Sequence, residues 1–293
     1  MKYSFFTRRS KLLFLLPALI VFSFVVFYCI LQVLLRSMYE WDGINIGNFI
    51  GLSNYFRLFQ DKTFYIALKN GLIFAGVLLV YQVGIGLLLA LLLNSKGVRG
   101  SKFFSTTYFI PVVLSVTVVA QLWISIFHGQ FGILNKMFTA FGIPFQQDWL
   151  GSRTWAIVVV ALSNAWQYLG IVFIIFYSAI KSIPEQYYEA AMIDGASRLQ
   201  TNTRVIMPLL SESMKTCVIS AVSGGINAFT EVFMITSGGP GKSTYTLTYM
   251  MYSQAFRQQN FGYGCAIAVV LILEGIVLMC LINRLMAREQ IIY

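Results

Sequence analysis

Long apolar runs alternate with short polar connections along this chain, and six of the runs are long enough to cross a membrane. They cover roughly 12–35, 71–93, 104–127, 155–180, 216–236 and 264–286. A helix that crosses the hydrocarbon layer needs about 20 mainly apolar residues, and each run is near or above that length. The pattern predicts an all-α polytopic membrane protein with six transmembrane helices, forming one membrane domain over residues 1–293. The third run is the least uniform, because Ser105, Thr106, Thr107 and Pro111 interrupt its start. Neighbouring helices can satisfy the backbone groups that such a proline frees. The first run follows Arg8, Arg9 and Lys11, as a signal peptide would. It is too long for a signal h-region and no small-residue cleavage site follows, so it reads as a retained helix.

Basic residues orient the six runs. Thirteen lysines and arginines fall in the N-terminus, the second connection, the fourth connection and the C-terminus, among them Lys2, Lys96, Arg99, Lys102, Lys181, Arg204 and Arg288. Eight fall in the other connections, about 36–70, 128–154 and 237–263, which are longer. The positive-inside rule then predicts that both termini are cytoplasmic. Tyr39, Trp41, Trp149 and Trp155 near the run ends suit an interfacial aromatic belt.

Composition agrees with this pattern. Of 293 residues, 58% are hydrophobic and only 11% charged, against about 25% charged in ordinary soluble domains. The net charge of +10 is spent beside apolar runs, which leaves no basic surface for nucleic acid. Cys29, Cys217, Cys265 and Cys280 lie in or near apolar runs without a CxxC pair, and His128 is the only histidine. A structural zinc site needs about four such ligands, so no metal site is expected.

The fourth connection, 181–208, has structure of its own. Ser182 and Glu185 have capping-box spacing, Pro184 suits a first turn, and Tyr187–Asp194 is helix-compatible. Gly195 suits a left-handed helix stop. Ser197 and Gln200 repeat the capping-box spacing, and Pro208 is expected to end a second helix. A short helix, a glycine turn and a second short helix are therefore predicted between the fourth and fifth spans, on the cytoplasmic side.

Within that element, Glu189-Ala190-Ala191, Asp194-Gly195-Ala196 and Ile206-Met207-Pro208 resemble the EAA motif of ABC-importer permeases. Gly51-Leu52-Ser53-Asn54-Tyr55 with Phe59, and Thr236 through Gly238-Gly239-Pro240 after Phe229, resemble the sugar-type, maltose-like branch of that family. Many relatives carry aromatics where this chain has Asn202 and Thr203. The resemblance implies a permease subunit for import of an oligosaccharide or related carbohydrate across a bacterial or archaeal cell membrane. It implies a second, non-identical permease, two nucleotide-binding ATPase subunits and an extracytoplasmic solute-binding protein as partners. ATP and Mg would bind the ATPase subunits, with no cofactor on this chain. Glu189, Ala190, Ala191, Asp194, Gly195, Ala196, Ile206 and Pro208 would couple this chain to the ATPase.

Gly238-Gly239-Pro240-Gly241-Lys242-Ser243-Thr244 looks like the end of a phosphate-binding loop. The full pattern needs a glycine where this chain has Thr236, so the segment reads as a glycine-proline turn and the chain as non-catalytic. At membrane depth, Glu231 and Glu274 are the acidic groups, with Asn227, Thr230, Gln121, Trp166, Gln167 and Tyr168 nearby in the runs. Polar and ionisable groups there are expensive and mark pathways or partners. Hydrogen-bonding and aromatic side chains suit a sugar's hydroxyls and C–H faces, although the same residues also join helices to one another. An ion-coupled secondary carrier is the alternative reading. It gives the EAA-like loop no role, and no internal repeat of the kind many carriers have is visible. An intramembrane enzyme lacks support, since no paired aspartates, HExxH or Ser–His arrangement occurs.

Overall fold

The computed structural model describes residues 8–94 and 100–286. Of the basic residues that orient the spans, Lys2, Lys96, Arg99 and Arg288 lie outside them, as do both ends of the expected 1–293 domain. The chain divides into two compact units, Met1–Asp61 with Met251–Val270, and Lys62–Met250 with Leu271–Tyr293.

The first unit opens with α1, Arg8–Arg36. None of its apolar stretch from Leu12 is buried inside the chain, so lipid or another protein must cover it. A two-stranded antiparallel hairpin follows, β1 Tyr39–Trp41 and β2 Ile46–Phe49, with Tyr39 opposite Phe49 and Trp41 opposite Ile46. This hairpin corrects the all-α expectation. Strands of three and four residues are too short to show alternation in the sequence.

The Asp42 carboxylate closes the hairpin loop by accepting from the backbone N–H groups of Ile44 at 2.8 Å and Asn45 at 2.7 Å, an Asx turn. These donors favour the ionised form and hold its carboxyl below the usual range. Helix α2, Ser53–Gln60, is tied to the end of α1 by the buried Asn54, which donates to Ser37 O at 2.9 Å. Gly262 brings the start of the last helix against β1, since a Cβ there would meet Tyr39 O.

In the second unit, α3 (Lys62–Leu78), a π-helical stretch (Leu79–Ile85) and α4 (Gly86–Leu93) form one continuous apolar helix. Then come α5 (Ser101–Val113), α6 (Val116–Phe127), α7 (Ile133–Ala140) and the long α8 (Ala156–Ser182). The 181–208 connection holds α9 (Glu185–Ile193), α10 (Arg198–Thr201), a π turn (Asn202–Ile206) and α11 (Met207–Leu209). Helix α12 (Ser211–Ile226), a π turn at Val232–Thr236 and α13 (Leu247–Tyr252) complete the sequence before α14 (Phe261–Leu285). The last two cross between the units.

Helix α8 is central in this unit and packs against α3, α4, α5 and α12. The fully buried Phe74, Phe173, Phe176, Ile206 and Tyr249 mark the core. Lipid is as apolar as these side chains, so helix association rests on close packing rather than on hydrophobic burial. Small residues supply the close approach. A Cβ on Gly225 would strike the backbone of Ala75, and one on Gly170 the carbonyl of Tyr108.

Four helices are long and apolar enough to cross a membrane, Leu12–Arg36, Lys62–Leu93, Ala156–Ser182 and Phe261–Leu285, or up to six if each bent pair is one span. They coincide with the first, second, fourth and sixth expected runs. The second begins nine residues earlier than expected, because Lys62 and Lys69 are absorbed into its first turns.

The third and fifth runs are not straight. The third bends by 98° between Val113 and Val116. Leu114 is extended there, and Ser115 caps α6 by accepting from Val118 N at 3.3 Å. The fifth, expected over 216–236, leaves α-helix at Ile226, and only a short helical stretch resumes near residue 230. The carbonyl of Ala228 in the break accepts from the buried Thr246 hydroxyl at 2.6 Å, which meets the requirement that freed backbone groups find partners.

Candidate functional site

The break after Ile226 places Glu231 at the head of the π turn Val232–Thr236. The residue is 6% exposed, and its carboxylate accepts a hydrogen bond from Asn164 Nδ2 on α8 at 2.7 Å. Asn164 Oδ1 in turn accepts from Gln82 Nε2 at 3.2 Å, and Gln82 sits in the π-helical stretch Leu79–Ile85. One carboxylate and two carboxamides thus join three membrane segments, two of them at places where regular α-helix gives way. Gln82 and Asn164 were not singled out by the sequence pattern. The available signal was an amide within an apolar run, which by its cost alone marks a functional or packing site.

Tyr168 follows Asn164 by four residues on α8, hence on the same face, and is within electrostatic reach of Glu231. Gln167 is 1% exposed, donates to the freed Leu114 carbonyl at 3.0 Å, and leaves its Oε1 without a hydrogen-bond partner among the described residues. Trp166 packs edge-on against Trp123 at 5.8 Å.

The remaining expected residues do not join this cluster through a hydrogen bond. Thr230 and Asn227 are exposed on the chain surface, Asn227 donating to Ser223 O at 3.0 Å. Gln121 is exposed on α6. Glu274 on α14 has a buried Oε2 with no hydrogen-bond partner among the described residues.

The 181–208 connection forms the expected pair of helices around a turn. Gly195 has φ +66°. Its N–H donates to Met192 O at 3.1 Å and that of Ala196 to Ala191 O at 2.9 Å, the two bonds of a Schellman stop. Ser197 then caps α10 with a complete capping box, both of its bonds to Gln200 being present.

Two expectations need correction. Ser182 does not cap α9; it ends α8, its hydroxyl donating to Ala179 O at 2.8 Å, and Pro184 is the N-cap. Pro208 does not end the second helix, which continues to Leu209 before a 72° bend into α12. The proline lacks an N–H and crowds the preceding turn, and the widened π turn just before it accommodates both effects.

Inside this element, Ala191 and Ile206 are buried, whereas Glu189, Ala190, Asp194 and Gly195 are exposed and Ala196 and Pro208 half-buried. Asn94 at the end of α4 donates to the Tyr188 hydroxyl at 3.3 Å, which anchors α9. Burial pushes the Tyr188 phenol up, partly offset by that hydrogen bond. Three apolar side chains face outward beside the turn, Met192, Ile193 and Leu199, which are 57%, 86% and 73% exposed, next to the exposed Asp194 and Arg198.

The segment 237–246 is a tight turn. Lys242 donates to Thr63 Oγ1 at 3.2 Å and lies over the Tyr245 ring. Asn70 donates to the carbonyls of Ser243 and Tyr245 at 2.7 and 2.8 Å. A turn pinned in this way has its lysine engaged within the protein.

Residues 82–290 match the family described as binding-protein-dependent transport system inner membrane component. The chain is 37% identical over 264 residues to a probable ABC transporter permease, YurN, of Bacillus subtilis, covering 89% of this chain and 90% of that protein. It is 33% identical to the diacetylchitobiose uptake permease NgcF of Streptomyces coelicolor, covering 87% of this chain and 76% of that one. To the multiple sugar-binding transport permease MsmF of Streptococcus mutans it is 34% identical, covering 90% and 91%. The fold is similar to a chain of the bacterial alginate ABC transporter solved with its periplasmic protein, at a TM-score of 0.82 and 23% identity, covering 97% of this chain and 96% of that one. The chain belongs to the binding-protein-dependent transport system inner membrane components, the multi-pass permease subunits of ABC importers, and its relatives include sugar permeases.

Proposed function

We propose that this protein is one permease half of an ATP-driven importer for an oligosaccharide or related carbohydrate. The helix–turn–helix at 185–209 carries the reading. It pairs a Schellman stop with an outward apolar knuckle of Met192, Ile193 and Leu199. Exposed apolar side chains grouped beside a turn suit a protein partner, and the EAA-like spacing suits the cleft of an ATPase. Glu189, Ala190, Ala191, Asp194, Gly195, Ala196, Ile206 and Pro208 then form the coupling element.

In this reading the chain is one membrane domain with six spans, the bent third run and the broken fifth run over 216–236 each counting as one, and both termini are cytoplasmic. Two ATPase subunits bind ATP and Mg, and this chain holds no cofactor. A second, non-identical permease completes the pathway and an extracytoplasmic binding protein delivers the solute. Lipid covers the rest, in a bacterial or archaeal cell membrane, and nucleic acid is not a partner.

Glu231, held by Asn164, borders the pathway. Exposed Asn227 and Thr230 line it with Trp166, Gln167, Tyr168, Gln121 and Glu274. Sugar names among the relatives support the substrate class. The test is uptake of radiolabelled oligosaccharides by cells with and without the gene. Loss of uptake of one such sugar on deletion, restored by the gene, supports the reading; unchanged uptake of every sugar tested, with loss of ion-driven uptake of another solute, favours a secondary carrier.

A further inference from the structure

The first unit forms an open cavity of about 610 Å³ between the β-hairpin, α2 and the start of α14. That lies within the roughly 300–1,000 Å³ range of small-molecule sites. Its accessible surface is about evenly polar and apolar; the polar side chains include Glu40, Asn45, Arg57, Gln259 and Asn260, with Trp41 as an aromatic edge. The exposed apolar side chains of this unit, such as Ile44, Phe49 and Phe56, are not in the wall. A protein partner's anchor would favour apolar and aromatic pockets, so the wall suits a small hydroxylated molecule better. Carboxamides both donate and accept, which matches a sugar hydroxyl. The Arg57 guanidinium already stacks at 4.5 Å from the Tyr263 ring centroid, and two carboxylates, Glu40 and Asp42, face the space. A neutral ligand fits that balance better than an anion.

Gln259 adds an independent sign. It follows the helical stretch that ends at Arg257 and has φ +57°. Asn260 N–H closes the stop by donating to Gln254 O at 2.9 Å. Glycine is the usual residue at such a left-handed stop, and a side chain there costs about 1–2 kcal/mol. The Gln259 side chain has no hydrogen-bond partner among the described residues, so the fold gains nothing visible from it. Strained side chains of this kind cluster at ligand sites.

We infer that this cavity is a saccharide-binding subsite, with the Gln259 carboxamide as its specificity group, distinct from the membrane cluster around Glu231. The inference rests on the carbohydrate reading, and with cytoplasmic termini the cavity opens outside the cell, where arriving solute would meet it.

The test is saturation-transfer NMR on the assembled importer in nanodiscs, without its solute-binding protein, with maltose, lactose and xylobiose as probes. The expected result is a signal for at least one disaccharide that weakens about ten-fold in affinity in Gln259→Gly, the loss of roughly one hydrogen bond, while Gly76→Ala, where an added Cβ meets nothing within 4 Å, leaves it intact. The Gln259→Gly protein should melt no lower than the parent, because the substitution relieves the backbone. Equal signals in parent and Gln259→Gly overturn the subsite. Absence of signal in an importer that still takes up sugar also overturns the subsite alone, whereas absence of both signal and sugar uptake overturns the carbohydrate reading with it. A Gln259→Gly protein changed only in its affinity for the solute-binding protein makes the cavity a protein-docking site and contradicts the inference.

Discussion

Asn164 Nδ2 lies 2.7 Å from Glu231 Oε1, a hydrogen bond across two helices that holds an acidic group where only 6% of it is exposed. Removing the amide leaves the carboxylate unpartnered. An unsatisfied buried group costs about 1–3 kcal/mol, and more when charged. Asn164→Ala should therefore lower the melting temperature of the detergent-solubilised protein, and Asn164→Asp should lower it further by placing a second carboxylate against Glu231. Glu231→Gln keeps an acceptor and should melt close to the parent while transport falls. A melting curve for Asn164→Ala identical to the parent's would contradict the bond's role.

Gly195 separates conformation from contact. Its φ of +66° disfavours any side chain, yet a Cβ there would meet nothing within 4 Å in this chain. Gly195→Asn, whose side chain tolerates the left-handed region, should keep most transport. Gly195→Val should cost about 1–2 kcal/mol locally and disturb the loop. Uptake assays on equal amounts of inserted protein distinguish the two, and equal loss in both would point to a contact requirement instead.

Gly225 is a packing glycine. A methyl group there would enter the backbone of Ala75 on α3, and overpacking of this kind costs about 1–3 kcal/mol. Gly225→Ala should reduce thermal stability, and Gly225→Leu should fail to accumulate in the membrane. Gly275→Ala, where nothing lies within 4 Å, serves as the neutral comparison on the level of inserted protein.

Asn70 pins the 237–246 turn through two carbonyls. Asn70→Ala should speed amide hydrogen exchange across that turn, measured by mass spectrometry, and leave exchange in α8 unchanged. Unchanged exchange in the turn would show that Lys242 and its neighbours hold it without Asn70.

Much of this architecture could be read from sequence where a physical signal was local. The straight spans followed from run length, and the stop at Gly195 followed from a glycine placed between a helical pattern and a Ser-x-x-Gln start. Other features depended on distant partners. Nothing local shows that Gln82 and Asn164 meet Glu231, since the bonds join residues 82 and 67 positions apart. The break after Ile226 needed the Thr246 hydroxyl to satisfy Ala228, a partner 18 positions away that the residues around the break do not reveal. The hairpin at 39–49 was too short to leave a period.

Residues 189–208 are the proposed route by which the ATPase's motion reaches the sugar pathway. That route is tested most directly in proteoliposomes holding the full importer, by measuring ATP hydrolysis and uptake of a labelled oligosaccharide side by side in parent and Gly195→Asp proteins. Asp, like Asn, tolerates the left-handed region, so what it adds is a charge beside Met192, Ile193 and Leu199. Opening the pathway requires differential contacts in the two ATPase states, so the account predicts that uptake falls at least about ten-fold, a loss of roughly 1.4 kcal/mol of coupling, while the ATPase subunits keep nucleotide binding. Parental uptake by a stably inserted Gly195→Asp protein would contradict it.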